Sequence, residues 1–163
     1  MIHLKTDRLI LRNVRPEDAE IMFDYRNNEI CARYQRGQTK ELPGIQALVQ
    51  RRKNDTISIA ENALVAVALK KTGEMIGEIV VMPNDDCFSL GYTFHYAHHR
   101  KGYAFEALSF LIEYLHTLQP DWEFISFTET ENIPSQKLLL KLGYTDMGYI
   151  EKMDSQMFGK YLK

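Results

Sequence analysis

The chain has 163 residues, 45% of them hydrophobic and 26% charged, with a formal net charge of −2 at pH 7. That balance suits a single globular domain over residues 1–163, with enough apolar material for a core that needs neither disulfide nor structural metal. A strongly basic nucleic-acid binder and a membrane span are both disfavoured, the first residues lack an apolar signal core, and Cys31 and Cys87 without a CxxC spacing fit reduced thiols in the cytoplasm. In chain order, Asp7 to Val14 reads as a first strand. Pro16, followed by Glu17 and Asp18, opens a helix from Arg15 to about Asn28, because proline and acids suit a helix start. A second helix is predicted from about Lys40 to Asn54, striped by Ile45, Leu48 and Val49. Leu64–Leu69, Met75–Met82 and Cys87–Tyr96, separated by turns at Thr72-Gly73-Glu74 and Pro83–Asp86, predict an antiparallel meander. Gly102 to Leu118 carries the strongest helical pattern, with Ala104, Ala107, Leu108, Leu111, Ile112 and Leu115 on one face. A strand at Trp122–Thr128, a helix at Ser135–Leu142 and closing strands at Tyr144–Ile150 and Met153–Tyr161 follow. The order β-α-α-β-β-β-α-β-α-β-β predicts an α/β fold, a mixed sheet with helices on its faces.

The junction before the strongest helix carries the chemistry. A strand leads into His98-His99-Arg100-Lys101-Gly102, and a helix leaves it. The first amides of a helix have no internal acceptor and sit at the positive end of its dipole, which suits phosphate. Gly102 and the small Ala104 permit close approach, and Arg100, Lys101 and the two histidines add positive charge. The plainer alternative is an exposed basic turn at a helix start. Neither G-x-G-x-x-G nor G-x-x-x-x-G-K-[ST] occurs, so hydride transfer and nucleotide hydrolysis lack their usual loops. His98 and His99 are adjacent and cannot form a metal pair at helical spacing, so no metal site is expected.

Gly91-Tyr92, followed by Arg100-Lys101-Gly102-Tyr103-Ala104-Phe105-Glu106-Ala107, resembles the acetyl-CoA motif of the GNAT superfamily of N-acetyltransferases. The closest resemblance is to the branch that acetylates ribosomal-protein N-termini. The family loop Q/R-x-x-G-x-G/A falls on His99, Gly102 and Ala104. Thr6-Asp7-Arg8-Leu9 to Arg12, with Arg15 to Ala19, resembles that branch's opening strand and helix. Gly73-Glu74-Met75-Ile76-Gly77 resembles its hairpin turn. Asn132-Ile133-Pro134-Ser135-Gln136-Lys137, with Lys141-Leu142-Gly143-Tyr144, resembles its second cofactor motif. These motifs span nearly the whole chain in the family's order. Two positions depart from it: His99 replaces Gln or Arg, and Arg100, which restricts the backbone, stands where this branch often has glycine.

The resemblance implies a central, splayed, mostly antiparallel sheet and acetyl-CoA as cosubstrate. Phe94 and Tyr96 would pair with the pantetheine arm on the splayed strand, often helped by a bulge. His99 and the amides of Arg100, Lys101, Gly102, Tyr103, Ala104 and Phe105 would hold the pyrophosphate, and Asn132 would contact the arm. A neutral primary amine, on a protein N-terminus or a small molecule, would attack the thioester directly, with a backbone N–H near Phe94 at the oxyanion. Many relatives place an acidic tyrosine where Leu139 stands here. Ser135 matches the serine of the ribosomal-protein branch as proton donor; its alternative is a helix N-cap. His95 is the candidate base, against a packing role, with Glu129, Glu131, Glu151 or a water chain as other candidates. Arg26, Arg33, Tyr34 and Arg36 would suit an acidic acceptor or simply form a solvated basic face. A catalytically silent acyl-CoA-binding module is the alternative function, and an unrelated nucleotide-phosphate binder a third. No nucleic-acid or membrane partner is expected, and an exposed C-terminal edge strand could pair two copies as a homodimer.

Overall fold

The computed structural model describes residues 1–161; residues 162–163 of the domain expected over 1–163 lie outside the described residues. The elements are β1 (Ile2–Lys5), β2 (Leu9–Asn13), α1 (Ala19–Arg26), α2 (Glu29–Ala32), α3 (Leu42–Arg52), β3 (Ala63–Leu69), β4 (Met75–Asn84) and β5 (Cys87–Phe94). They continue with α4 (Tyr103–Leu118), β6 (Glu123–Thr128), α5 (Ile133–Lys141), β7 (Thr145–Ile150) and β8 (Ser155–Lys160). Short 3-10 turns lie at Pro16–Asp18, Tyr96–His98 and Glu151–Met153. The strands form one sheet in the order β1-β2-β3-β4-β5-β6-β8-β7. Every neighbouring pair is antiparallel except β5 and β6.

The mixed α/β fold is as the sequence predicts, with local differences. The opening strand is a hairpin: β1 precedes the predicted segment and pairs with β2 across the turn at Thr6 to Arg8. The first helix begins as a 3-10 turn, with Arg12 clamped to Asp18 at 2.7 and 3.0 Å. One further turn, α2, is capped by Asn28, whose side-chain oxygen accepts from the Ile30 amide at 2.9 Å. β5 stops at Phe94, so His95 and Tyr96 are not on the strand as expected. Proton-accepting Nδ1 of His95 takes the Ala97 amide at 3.0 Å and turns the chain into a 3-10 bend instead.

β3 is apolar along its length because it is covered on both faces. Val65 and Val67 pack with Leu108, Leu111 and Leu115 of α4. Leu64 and Ala66 point the other way, toward Met22 and Tyr25 of α1 and Ile45 and Val49 of α3. The α4 leucines are completely buried or nearly so, each contributing about 2 kcal/mol of gross hydrophobic stabilisation. That anchors the helix whose first turn faces the cleft. On the other face, Arg26 bonds both oxygens of Glu78 on β4 at 2.9 and 2.6 Å, and the Tyr25 hydroxyl donates to the same carboxylate at 2.6 Å. Arg26 is therefore a buried structural cation, not part of a basic acceptor face.

The sheet opens at its centre. β5 and β6 share a parallel ladder at Cys87 to Ser89 and Glu123 to Ile125. Beyond it, β6 continues with β8 while β5 stays with β4. The β4–β5 register is unbroken, so no bulge in that pair opens the gap. Gly77 on β4 allows the arrangement at the far end: a Cβ there would lie 2.6 Å from the Phe94 ring and 2.8 Å from the Thr93 carbonyl.

Candidate active site

The opening between β5 and β6 forms a cleft of about 760 Å³, walled by β5, the first turn of α4, the end of β6 and α5. In a strand, a residue's N–H and C=O point to the same edge. The carbonyls of Leu90, Tyr92 and Phe94 face the opening, where side chains take them. Ser126 Oγ donates to Leu90, Gln35 Nε2 to Tyr92, and both His99 Nε2 and Cys31 Sγ to Phe94. The N–H groups of Tyr92 and Phe94 face the same gap.

At the end of this edge stands the start of α4. Gly102 caps the helix with φ +79°, a left-handed conformation natural to glycine. Arg100 is left-handed too, at φ +63°. The restriction expected at Arg100 is thus overridden, at a local cost on the order of 1–2 kcal/mol. The first helical bond runs from the Glu106 amide to the Gly102 carbonyl at 3.0 Å, which leaves the Tyr103, Ala104 and Phe105 amides without intrahelical acceptors. A brace from the β1–β2 turn holds this loop. Glu106 accepts from the Thr6 hydroxyl at 2.5 Å, the Arg8 amide at 2.8 Å and Arg8 Nε at 2.7 Å. Arg8 also reaches the Lys101 carbonyl at 3.0 Å and lies over the Tyr103 ring.

Of the residues singled out in the sequence, Phe94, His99, Arg100, Gly102, Tyr103, Ala104, Phe105, Asn132 and Ser135 come together on the cleft wall. Lys101, Tyr96 and His95 do not line it. The Lys101 carbonyl is held by Arg8. The Tyr96 hydroxyl donates to Asp24 at 3.0 Å, and its ring stacks on His95. With Nδ1 of His95 accepting from Ala97, Nε2 carries the hydrogen and donates to Asp24 at 3.0 Å. Both ring nitrogens are engaged, on the α1 side of the strand end. Glu131, Glu151 and Arg33 are exposed and off the cleft wall, whereas Tyr34, Arg36 and Glu129 line it. Burial and then Lys101 push His98 below its ordinary value, and the His99 ring is tied to the Phe94 carbonyl.

Asn132, not Ser135, caps α5: its side-chain oxygen accepts from the Ser135 amide at 3.3 Å. That frees the Ser135 hydroxyl, which is hydrogen-bonded to the Tyr92 hydroxyl at 2.5 Å. Leu139 is buried in the core and offers no acid.

Several of the named residues make contacts that the sequence reading did not assign. Lys137 and Lys141, four residues apart on one face of α5, both line the cleft, and Lys141 lies over the Phe105 ring at 4.4 Å. Their spacing was a usable signal. At the other end, Arg36 donates to Glu129 Oε1 at 2.6 Å, the Asp154 carbonyl at 2.7 Å, the Met153 carbonyl at 3.1 Å and the Ser155 hydroxyl at 3.3 Å. This holds the Glu129 carboxyl below its usual range. No local signal marks a clamp across such separations. Among the described residues, no group of three or more His, Cys, Asp or Glu is placed to hold a metal ion, and no helix is long and apolar enough to cross a membrane.

The family model for the Acetyltransferase (GNAT) domain matches residues 8–145. The chain belongs to the GNAT acetyltransferase family. This GNAT acetyltransferase is 26% identical over 153 residues to the uncharacterized N-acetyltransferase YnaD of Bacillus subtilis, covering 93% of this chain and 87% of YnaD. Its fold matches a GNAT-family acetyltransferase from Bacillus anthracis with a TM-score of 0.81 at 22% identity, covering 98% of this chain and 96% of that one. It matches RimL, a ribosomal L7/L12 alpha-N-protein acetyltransferase in complex with coenzyme A, with the same TM-score of 0.81 at 12% identity, covering 99% and 98% of the two chains.

Proposed function

We propose that this GNAT enzyme uses acetyl-CoA to acetylate a primary amine, on a protein N-terminus or a small molecule, by direct transfer. The observation that carries the reading is the released β5 edge running directly into a helix start with three unpaired amides. An extended amide-bearing arm would lie along the first and a pyrophosphate at the second. The residues present fit such a group: Arg100, Lys137 and Lys141 ring the phosphate end, and nothing acidic intrudes between them on the wall. The coenzyme A complex of RimL supports the same assignment by analogy of fold.

Bound there, acetyl-CoA supplies an acetyl thioester for attack by a neutral amine. The Phe94 N–H would hold the thioester oxygen as charge develops on it. Ser135, at the cleft wall, would protonate the departing thiol. His95 is excluded as a ready base because both its nitrogens are bonded. Glu129, kept ionised by Arg36, offers a counter-charge to an arriving ammonium, and its proton leaves to solvent at the cleft mouth. β7 lies at the sheet edge, so a two-fold pairing through it would give the expected homodimer.

Calorimetry with coenzyme A, ATP and NAD, together with acetyl-CoA turnover against peptides with N-terminal Ala, Ser or Met and a set of small amines, tests the reading. Coenzyme A binding with acetylation of one acceptor class is expected. Binding without any turnover would favour the silent module, and ATP or NAD binding as tight as coenzyme A would overturn the assignment.

A further inference from the structure

We infer that Tyr92 is the positioning residue for the Ser135 hydroxyl, holding it toward the cleft and replenishing its proton as the coenzyme A thiol departs. The inference rests on the acetyl-transfer reading above. It begins from placement. Tyr92 lies on β5 beyond the last rung shared with β6, where the sheet has opened. Its side chain, on the same face as Phe88 and Phe94, crosses toward the layer of α4 and α5. Ser135 occupies the first turn of α5, on the opposite bank of the cleft. The two hydroxyls meet at 2.5 Å, 43 residues apart in the chain, and both residues line the cleft.

Three facts argue against a mere packing contact. The Asn132 cap relieves Ser135 of the usual duty of a serine at a helix start, so its hydroxyl is free to engage Tyr92. No charged side chain perturbs Tyr92: burial pushes its phenol up to about 12, and the bond to Ser135 draws it back in part. Tyr144, the titratable neighbour behind it, is itself buried and held above its ordinary range by burial. The pair is thus a neutral, half-buried hydroxyl couple beside the place where a thiol must be protonated.

The proton balance shows what the second hydroxyl adds. When the carbon–sulfur bond breaks, the electron pair goes to sulfur, which takes the Ser135 proton. The Ser135 oxygen takes the Tyr92 proton, and Tyr92 regains one from solvent, to which the acceptor amine has released its own. A serine hydroxyl acting alone would be left as an alkoxide, about as basic as hydroxide; against a thiol near 8.5 the transfer is uphill by about seven decades. Handing the charge on to the phenol reduces that gap to about three or four decades. The existing hydrogen bond gives the second transfer its path.

The test compares Tyr92→Phe, Ser135→Ala and the double variant, with rates normalised to coenzyme A binding capacity so that lost folding does not count as lost catalysis. Each single variant is expected to lower kcat by about 10–100-fold, with the KM for acetyl-CoA and the calorimetric affinity for coenzyme A within about twofold of wild type. The double variant is expected to be no slower than the slower single one, as for two groups working as a unit. A Tyr92→Phe enzyme with wild-type kcat, a loss confined to KM, or multiplicative losses in the double variant would overturn the inference alone. A wild-type protein that acetylates no amine would overturn the functional reading and this inference with it.

Discussion

The two ends of the cleft are built on different principles. At the α4 end, one continuous stretch from Phe94 to Phe105 supplies the edge, the turn and the amides, anchored by the buried face of α4 and braced by Thr6, Arg8 and Glu106. At the opposite end, side chains from distant segments meet: Arg36 with Glu129 and the β7–β8 turn, Gln35 with the Tyr92 carbonyl, Gln38 with the Thr93 hydroxyl. The first end relies on backbone groups, which every substitution except proline leaves in place, and on a rigid helix. The second relies on exposed charge pairs, which solvent and salt weaken. On the proposed function, an invariant cosubstrate would meet preorganised backbone, and an acceptor would meet contacts that can be altered at little cost to the fold.

The contrast can be broken most sharply at Gly102. Gly102→Asp sets a carboxylate against the amides of the α4 start, and acetyl-CoA affinity should fall at least about 100-fold by calorimetry, a shift of nearly 3 kcal/mol or more at about 1.4 per decade. The melting temperature should drop only slightly, because the residue is exposed and the left-handed strain is on the order of 1–2 kcal/mol. Next comes Gly77→Ala. Its new methyl would overlap the Phe94 ring and the Thr93 carbonyl, so about 1–3 kcal/mol should be lost in chemical denaturation, with a lower kcat as Phe94 shifts.

Arg36→Ala separates the two ends. The KM for the acceptor should rise by about tenfold while that for acetyl-CoA stays unchanged, and the melting curve should not move, since the guanidinium is exposed. Equal changes in both KM values would show the ends to be coupled. The smallest effect is expected at the brace. Burial raises the Glu106 carboxyl, but bonds from Thr6 and Arg8 outweigh it and leave the carboxyl below its ordinary value. The folded state therefore binds the proton less well than the unfolded one. Its contribution is present above the ordinary carboxylate range near 4.3 and fades as pH falls through it. The stability difference between wild type and Glu106→Gln should accordingly narrow on acidification; a difference constant with pH would remove Glu106 from the brace.

How legible each part was follows from the same contrast. The loop from His99 to Ala104 was readable because its elements adjoin in the chain: strand, basic turn, glycine, amphipathic helix. Even there, the sequence overextended the strand by two residues. His95 has a strand-like neighbourhood, but its Nδ1 captures the Ala97 amide and its Nε2 finds Asp24, and those bonds turn the chain. Ser135 was identified, yet both of its proposed roles missed the observed partner. An asparagine three residues earlier took the cap, and the phenol came from another strand.

By itself, the sequence determined the meander of β3, β4 and β5, the long helix α4 and the glycine-capped loop before it, because those follow from periodicity and turn chemistry within short windows, and it carried the family in its motifs. Only the tertiary structure decided that Arg26 is a buried partner of Glu78, that Arg36 clamps Glu129 to the β7–β8 turn, that Lys137 and Lys141 line the cleft and that Tyr92 meets Ser135. Each of those depends on how the sheet opens between β5 and β6, and so on pairings between segments far apart in the chain. A side chain's chemistry is local, but its partner is set by packing.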